Sequence, residues 1–243
     1  MSFVAFSAIA DDPAAAEATH AELWRQARRF NLPVKLALTA AHDAAARAHA
    51  PAEARLVALA PCQAGSPELW RATHAFETDL ARTGKAARMR VNPTYTLHAM
   101  DNLALSALAI DLGNHAPCLG LGGAAGQVWT ALEWILERPS GPHDETLLFA
   151  GDQTPTGTSA LGVAVLFRAS AADATAIRLV AVERAPSPPA AGTPPRPDAA
   201  AGLRRWLDAL ATFARNERGP FAYAVPPADG DGRDRITVVA EVR

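Results

Sequence analysis

The chain has 243 residues, 49% of them hydrophobic, with a formal net charge of −2 and two cysteines. That is enough for one sizeable core, and it excludes a basic field for nucleic acid and a disulfide framework. No apolar run approaches the ~20 residues of a membrane span, and Asp11 and Asp12 interrupt the N-terminal apolar stretch too early for a signal peptide, so a reducing cytoplasm is the expected setting.

In chain order, residues 3–8 (FVAFSA) read as a first strand. Ala16, Leu23, Trp24 and Ala27 follow at helical spacing and predict a helix over 13–29. The Ala-rich tract 37–54, with His42 and His49, predicts a surface-facing helix, and RLVALAP (55–61) an apolar strand ended by Pro61. Gly65 and Ser66 break the chain, and Ser66 is a suitable N-cap for a helix from Pro67 to about Leu80. NPTYT is a turn into a helix over 97–112, closed by Gly113. A short strand at 117–121 and a helix at 125–138 come next, the helix stopped by Pro139, Gly141 and Pro142. ETLLFAGD (145–152), ALGVAVLFRA (160–169) and AIRLVAVERA (176–185) read as three strands. The Pro-rich segment 186–198 is a flexible loop, 199–217 a helix with Leu203, Trp206, Leu207, Leu210 and Phe213 on one stripe, 226–234 a second flexible loop, and RITVVAEV (235–242) a closing strand. Strands alternating with helices predict one α/β domain over 1–243, a layered, mixed and mostly parallel sheet of about five strands flanked by helices.

The stretch CLGLGGAAGQVWTALEWILE (118–137) has the form of a strand, a tight turn and an amphipathic helix. Such a corner suits a nucleophile, because a helix N-terminus favours developing negative charge. Here the turn offers only Gly122, Gly123, Ala124, Ala125 and Gly126, none with a side chain that can attack. The spacing Gly120-x-Gly122-x-x-Ala125 echoes a dinucleotide fingerprint, but it lies mid-chain and the acids at the right distance, Asp144 and Glu145, fall at a strand's start. No cofactor is expected. The seven histidines include no His-x-x-x-His pair and no cysteine neighbour, so no metal site is expected; His98 and His115 lie nearest the turn in sequence. Cys62 and Cys118 are assigned to structure.

From Asn92 to about Pro155 the chain resembles the N-terminal half of the β-ketoacyl synthases, thiolase-fold condensing enzymes. The resemblance is carried by Asn102 and Gly113, by NHAPCLGLGGAAG with Ala116 in place of the usual glycine before Pro117, and by ETLLFAGD. ARLVALAPCQAGSPELWRATHAFETDL (54–80) is similar to a short branch of stand-alone, chain-length-factor-like proteins found with aryl polyene and related pigment pathways. The resemblance implies a thiolase-like half. The cysteine that takes the acyl chain in an active synthase falls on Ala125 without a gap, or on Ala124 with a one-residue shift. Nothing after His143 is a histidine, so the two histidines of an active synthase have no counterpart. Familiar chain length factors also lack the cysteine, though they carry a glutamine there.

What this implies is a non-catalytic, ketosynthase-like subunit that pairs with a β-ketoacyl synthase in polyketide or fatty-acid-type biosynthesis and meets acyl carrier protein through that partner. Candidate pocket and interface residues are Asn102, Leu105, Cys118, Leu119, Ala124, Ala125, Gln127, Val128 and Trp129. Trp129 either limits chain length or is a core tryptophan on the stripe of Leu132 and Ile135. Residues 103–110 hold one polar side chain, so that helix is either buried in the domain or meets another subunit. The rival expectation is a stand-alone acyl-transferring enzyme using His98, Asp101 or Ser106.

Overall fold

The computed structural model describes residues 2–28, 30–59, 67–84, 103–121, 126–137, 144–153, 159–170, 177–186, 199–227 and 234–243. The strands are β1 (Ser2–Ala10), β2 (Arg55–Leu59), β3 (Cys118–Leu121), β4 (Glu145–Gln153), β5 (Ala160–Arg168), β6 (Ile177–Pro186), β7 (Gly219–Ala224) and β8 (Asp234–Val242). The helices are α1 (Pro13–Thr19), α2 (Ala21–Gln26), α3 (Leu32–Ala45), α4 (Pro67–Thr83), α5 (Leu103–Asp111), α6 (Gln127–Glu137) and α7 (Ala199–Asn216).

The strands form a single mixed sheet in the order β3-β2-β4-β5-β1-β6-β8-β7. β2 pairs in parallel with β3 and β4, and every other pairing among the described strands is antiparallel. Within the part β3-β2-β4-β5-β1, four strands therefore run one way against β5. The expectation of about five, mostly parallel strands is corrected by β6, β8 and β7, which extend the sheet to eight strands with antiparallel pairs only. The short connection from β7 to β8 imposes the antiparallel pairing of that pair, since a parallel crossover needs a dozen residues or more.

Apolar side chains fill both faces. On one face Leu56, Ala58, Leu147, Phe149, Ala164 and Leu166 meet α3, Trp24 of α2, and Leu105 and Leu108 of α5. On the other face Val57, Leu148, Val163, Val165 and Phe167 meet Trp129 and Leu132 of α6 and Leu203, Trp206 and Leu210 of α7. β4 is buried on both sides from Glu145 to Gly151, which is why ETLLFAG reads as a nearly continuous apolar run. The inward residues of β8, Ile236, Val238, Ala240 and Val242, belong to the α6–α7 core as well, so those two helices pack against both parts of the sheet.

Several local expectations are corrected. The helix over 13–29 is two helices, because the chain turns at His20, where φ is −119° and ψ 43°. Asp12 caps α1 through the N–H groups of Ala14 and Ala15 at 2.9 and 3.1 Å. The Ala-rich helix spans 32–45 and is buried, not surface-facing: Leu36, Ala40, Ala41 and Ala44 are fully enclosed. Small side chains let its backbone sit almost on the sheet, and its Thr39 Oγ1 accepts from Trp24 Nε1 of α2 at 3.0 Å. β7 corresponds to no expected strand. The flexible-loop expectations at 186–198 and 226–234 lie almost wholly outside the described residues.

Candidate functional site

The site region is built around the β3 edge. β3 is four residues long, stands at the end of the sheet and has a described neighbour, β2, on one side only. Among the described residues no strand pairs with its other side, the arrangement of a sheet edge. Cys118 and Gly120 are exposed and Leu119 and Leu121 half-buried, the two leucines leaning on the α6–α7 core. Burial pushes the Cys118 thiol up from its ordinary range, more than the backbone of Leu56 draws it down. Its sulfur lies 3.4 Å from the Ala116 carbonyl.

The approach to this strand is held from below. Gly113 ends α5 with φ 57°, a conformation glycine adopts without strain. Asn114 then donates its side-chain amide to the carbonyls of Pro51 and Ala54, at 3.0 and 2.8 Å, and accepts from the Ala116 N–H at 3.0 Å. The His115 N–H donates to the Ala52 carbonyl. One asparagine thus fixes where β3 enters the sheet beside β2. Gly113-Asn114, a helix-stop pair followed by Pro117, was the sequence signal for it.

α5 runs beside β3 and turns Leu105 and Leu108 inward. Ser106 is exposed, and Ile110, an apolar side chain, is 82% exposed. The apolar segment 103–110 is therefore buried on one side and open on the other. At its last residue, Asp111 Oδ2 approaches His42 Nε2 to 2.7 Å.

α6 begins after Gly126, whose φ of 80° again calls for glycine and whose carbonyl accepts from the Trp129 N–H at 3.1 Å. Gln127, Val128 and Trp129 are all buried. Trp129 is fully enclosed, 3.8 Å from the point where a side chain on Gly202 would begin and 6.1 Å, ring to ring, from Tyr223. It sits in the stripe with Leu132 and Ile135 and in the α6–α7 core.

Asn102, Ala124, Ala125, His98, Asp101 and Cys62 lie outside the described residues. The remaining candidates fall into two groups. Near β3, Leu105 is buried in the α3 core on one face, Leu119 leans on the α6–α7 core on the other and Cys118 is exposed, with His115 at the entry to the strand, whereas Gln127, Val128 and Trp129 are buried on α6. His49 and His115 stand at the N-terminal ends of β4 and β3, at the opposite end of β3 from Leu121. Among the described residues no three His, Cys, Asp or Glu side chains gather as a metal site, and no helix is long and apolar enough to cross a membrane.

No protein-family model and no curated protein matches the chain by sequence. Among solved structures, it is similar over 98% of its own length and 98% of the other chain to a ketosynthase (ApeO) in complex with its chain length factor (ApeC) from Xenorhabdus doucetiae, at 16% identity and a TM-score of 0.50. Other matches are ChlB3, described as an acyltransferase (13% identity, TM-score 0.47, 99% and 97% covered), and the tetronic acid condensing enzyme AbyA1 (16%, 0.40, 76% and 55%).

Proposed function

We propose, from the premise that this chain has the thiolase-like fold of the ketosynthase–chain length factor complex, that it is a non-catalytic ketosynthase-like subunit working beside a complete β-ketoacyl synthase. The observation that carries the reading is the β3 edge, paired on one side only among the described residues, together with the 82% exposed Ile110 on the helix that precedes it. A strand edge with no partner among the described residues and an exposed apolar residue on the helix before it are features suited to contact with another protein.

The chemistry of the chain supports a supporting role. Thioester formation needs a thiolate or other activated nucleophile, and an alanine methyl at 124 or 125 supplies none. No histidine follows His143 to act as base or oxyanion donor. In this reading the partner carries out acyl loading and condensation and receives the acyl carrier protein. The present chain completes the dimer, and its Leu105, Cys118, Leu119 and the 122–128 corner help bound the space into which a polyketide or aryl-polyene-like chain grows. An obligate interface of this kind exceeds about 2,000 Å² in total.

Co-expression with a complete β-ketoacyl synthase of the same organism, followed by size exclusion with light scattering, tests the reading. The expected result is a one-to-one complex that Ile110→Asp disrupts while the isolated variant keeps its unfolding temperature. A chain that stays monomeric at high concentration and forms no complex with that synthase removes the subunit reading and promotes a stand-alone acyl-transferring enzyme.

A further inference from the structure

β6, β8 and β7 form the end of the sheet opposite β3, and the described helices that pack on them, α6 and α7, do so from one side. Val182, Phe221, Tyr223 and Val238 point to that side and join its core. Strand alternation turns the intervening residues to the other face. There Ala222 of β7, Val239 of β8 and Ala181 of β6 stand in one cross-strand row, Ala222 exposed and the other two half-buried. Val180, the extra residue where the β6–β8 register shifts, is 44% exposed beside them. Pro220 and Ala224 are exposed on either side of Ala222.

Charged side chains frame this apolar row at both ends. At one end Arg178 and Glu241 are cross-strand partners, with Arg178 Nη2 2.7 Å from Glu241 Oε2. Arg243 joins them, 3.7 Å from Glu241 and over the Phe3 ring. At the other end stand Glu183 of β6 and Arg235 of β8, both exposed and neither in an ion pair among the described residues. Along one direction β6 thus carries positive and then negative charge, and β8 negative and then positive. A two-fold axis between two such faces, running across the strands, sets Arg178 against Glu183 of the second copy and Glu241 against its Arg235. An axis running along β8 sets Glu241 against Glu241 instead. Only the crosswise arrangement is complementary in charge.

We propose that this outer face of β6, β8 and β7 is a self-association surface, on which a second copy of the chain packs sheet on sheet about the crosswise two-fold axis. The small side chains of the central row let two sheets approach to the usual ~10 Å. The exposed rim charges add little attraction and fix the orientation. Three strands bury less than an obligate interface does, so the dimer depends on concentration and weakens with salt. Association through the β7 edge is disfavoured by Pro220, which has no N–H to offer a further strand. The face stands at the far end of the sheet from β3, so it is separate from the surface assigned to a ketosynthase.

Sedimentation velocity of the full chain over a dilution series reads the association. Reversible dimers are expected at low salt, and fewer at high salt. Ala222→Arg puts a long side chain into the central row, and Glu183→Arg sets like charges face to face. Both residues are exposed, so neither change should shift the unfolding temperature of the dilute protein, and each should weaken dimerisation by about tenfold or more. Arg178→Glu chains that keep a cooperative unfolding transition should fail to dimerise alone. Mixed in equal amounts with Glu183→Arg chains they should dimerise again, because both crosswise pairs then have opposite signs. Ile110→Asp should leave self-association unchanged, whatever it does to a synthase complex. A chain that stays monomeric at the highest concentrations overturns the proposal, as does a dimer that Ala222→Arg and Glu183→Arg leave intact or that Ile110→Asp dissolves.

Discussion

Gly151 and Gly162 face each other across the β4–β5 ladder, and both lie directly beneath the backbone of α3. A Cβ on Gly162 would meet the Leu36 carbonyl well inside van der Waals contact and stand 2.6 Å from the Ala37 nitrogen; one on Gly151 would collide with the carbonyl group of Pro33. The obstructing atoms are helix backbone, which cannot rotate aside. Gly162→Ala should therefore cost about 3 kcal/mol, the upper range for overpacking, and lower the unfolding temperature by about 6–12 °C. A calorimetric scan showing no change would mean that α3 can lift from the sheet at little cost.

Glu145 and Arg168 form a buried ion pair at the other end of the same two strands. Arg168 Nε lies 2.8 Å from Glu145 Oε1, and the Glu145 carboxylate also accepts from the His49 and Ala50 N–H groups. The side chains are 10% and 7% exposed. Removing one partner strands the other charge in the interior, so Glu145→Ala should cost about 3–5 kcal/mol in urea unfolding. The double replacement Glu145→Met/Arg168→Met should cost less than Glu145→Ala alone. Strict additivity of the two single changes would show that the pair is uncoupled.

Cys118 supplies a pH profile. Burial holds its thiol above the ordinary cysteine range, so the reactive thiolate is scarce at neutral pH although the residue is exposed. Iodoacetamide should label it slowly at neutral pH and fast only in distinctly alkaline buffer, and complex formation with a ketosynthase should suppress the labelling. Rapid neutral alkylation that the partner leaves untouched would argue that the β3 edge is not the contact surface.

Incubated alone with malonyl- and acyl-loaded carrier protein, the chain should neither hold an acyl group covalently nor release a condensed product. Intact-mass spectrometry reads the first and product analysis the second. A stable acyl adduct on Cys62 or Cys118, formed at a competent rate, would favour the stand-alone enzyme. Ala125→Cys should stay inactive by itself, because base and oxyanion donors must be positioned as well.

Much of this architecture was readable where hydrophobicity changes abruptly. β4, β5 and β6 are apolar runs bounded by polar turns, and α7 carries its stripe on one side, so their limits fall within a residue or two of expectation. Other features depend on tertiary context. The α1–α2 break at His20 has no Gly or Pro to announce it. α3 looks like a solvent helix because alanine is compatible with water, yet alanine is also what allows close approach to a sheet. β7 contains Pro220, which argues against a central strand but is tolerated at an edge. Of the site, the inward position of Trp129 was legible in its stripe with Leu132 and Ile135, whereas the outward position of Cys118 follows from β3 standing at the end of the sheet, which no local pattern contains.

β1 lies in the interior of the sheet, between β5 and β6, with Phe3 opposite both Arg168 and Arg178. A ribosome delivers this apolar strand long before its neighbours β5 and β6. At ~5–20 residues per second, Phe3 waits on the order of ten seconds before Arg168 emerges. Through that interval SFVAFSAIA is an unpaired strand in an unfinished chain, available to other exposed edges. The early appearance of α3, which packs on the same strand and is complete by Ala45, gives it a provisional cover. Production of the intact chain should accordingly depend on how fast translation runs between Ala45 and Arg168, and on holdase chaperones that shield the strand until the sheet closes around it.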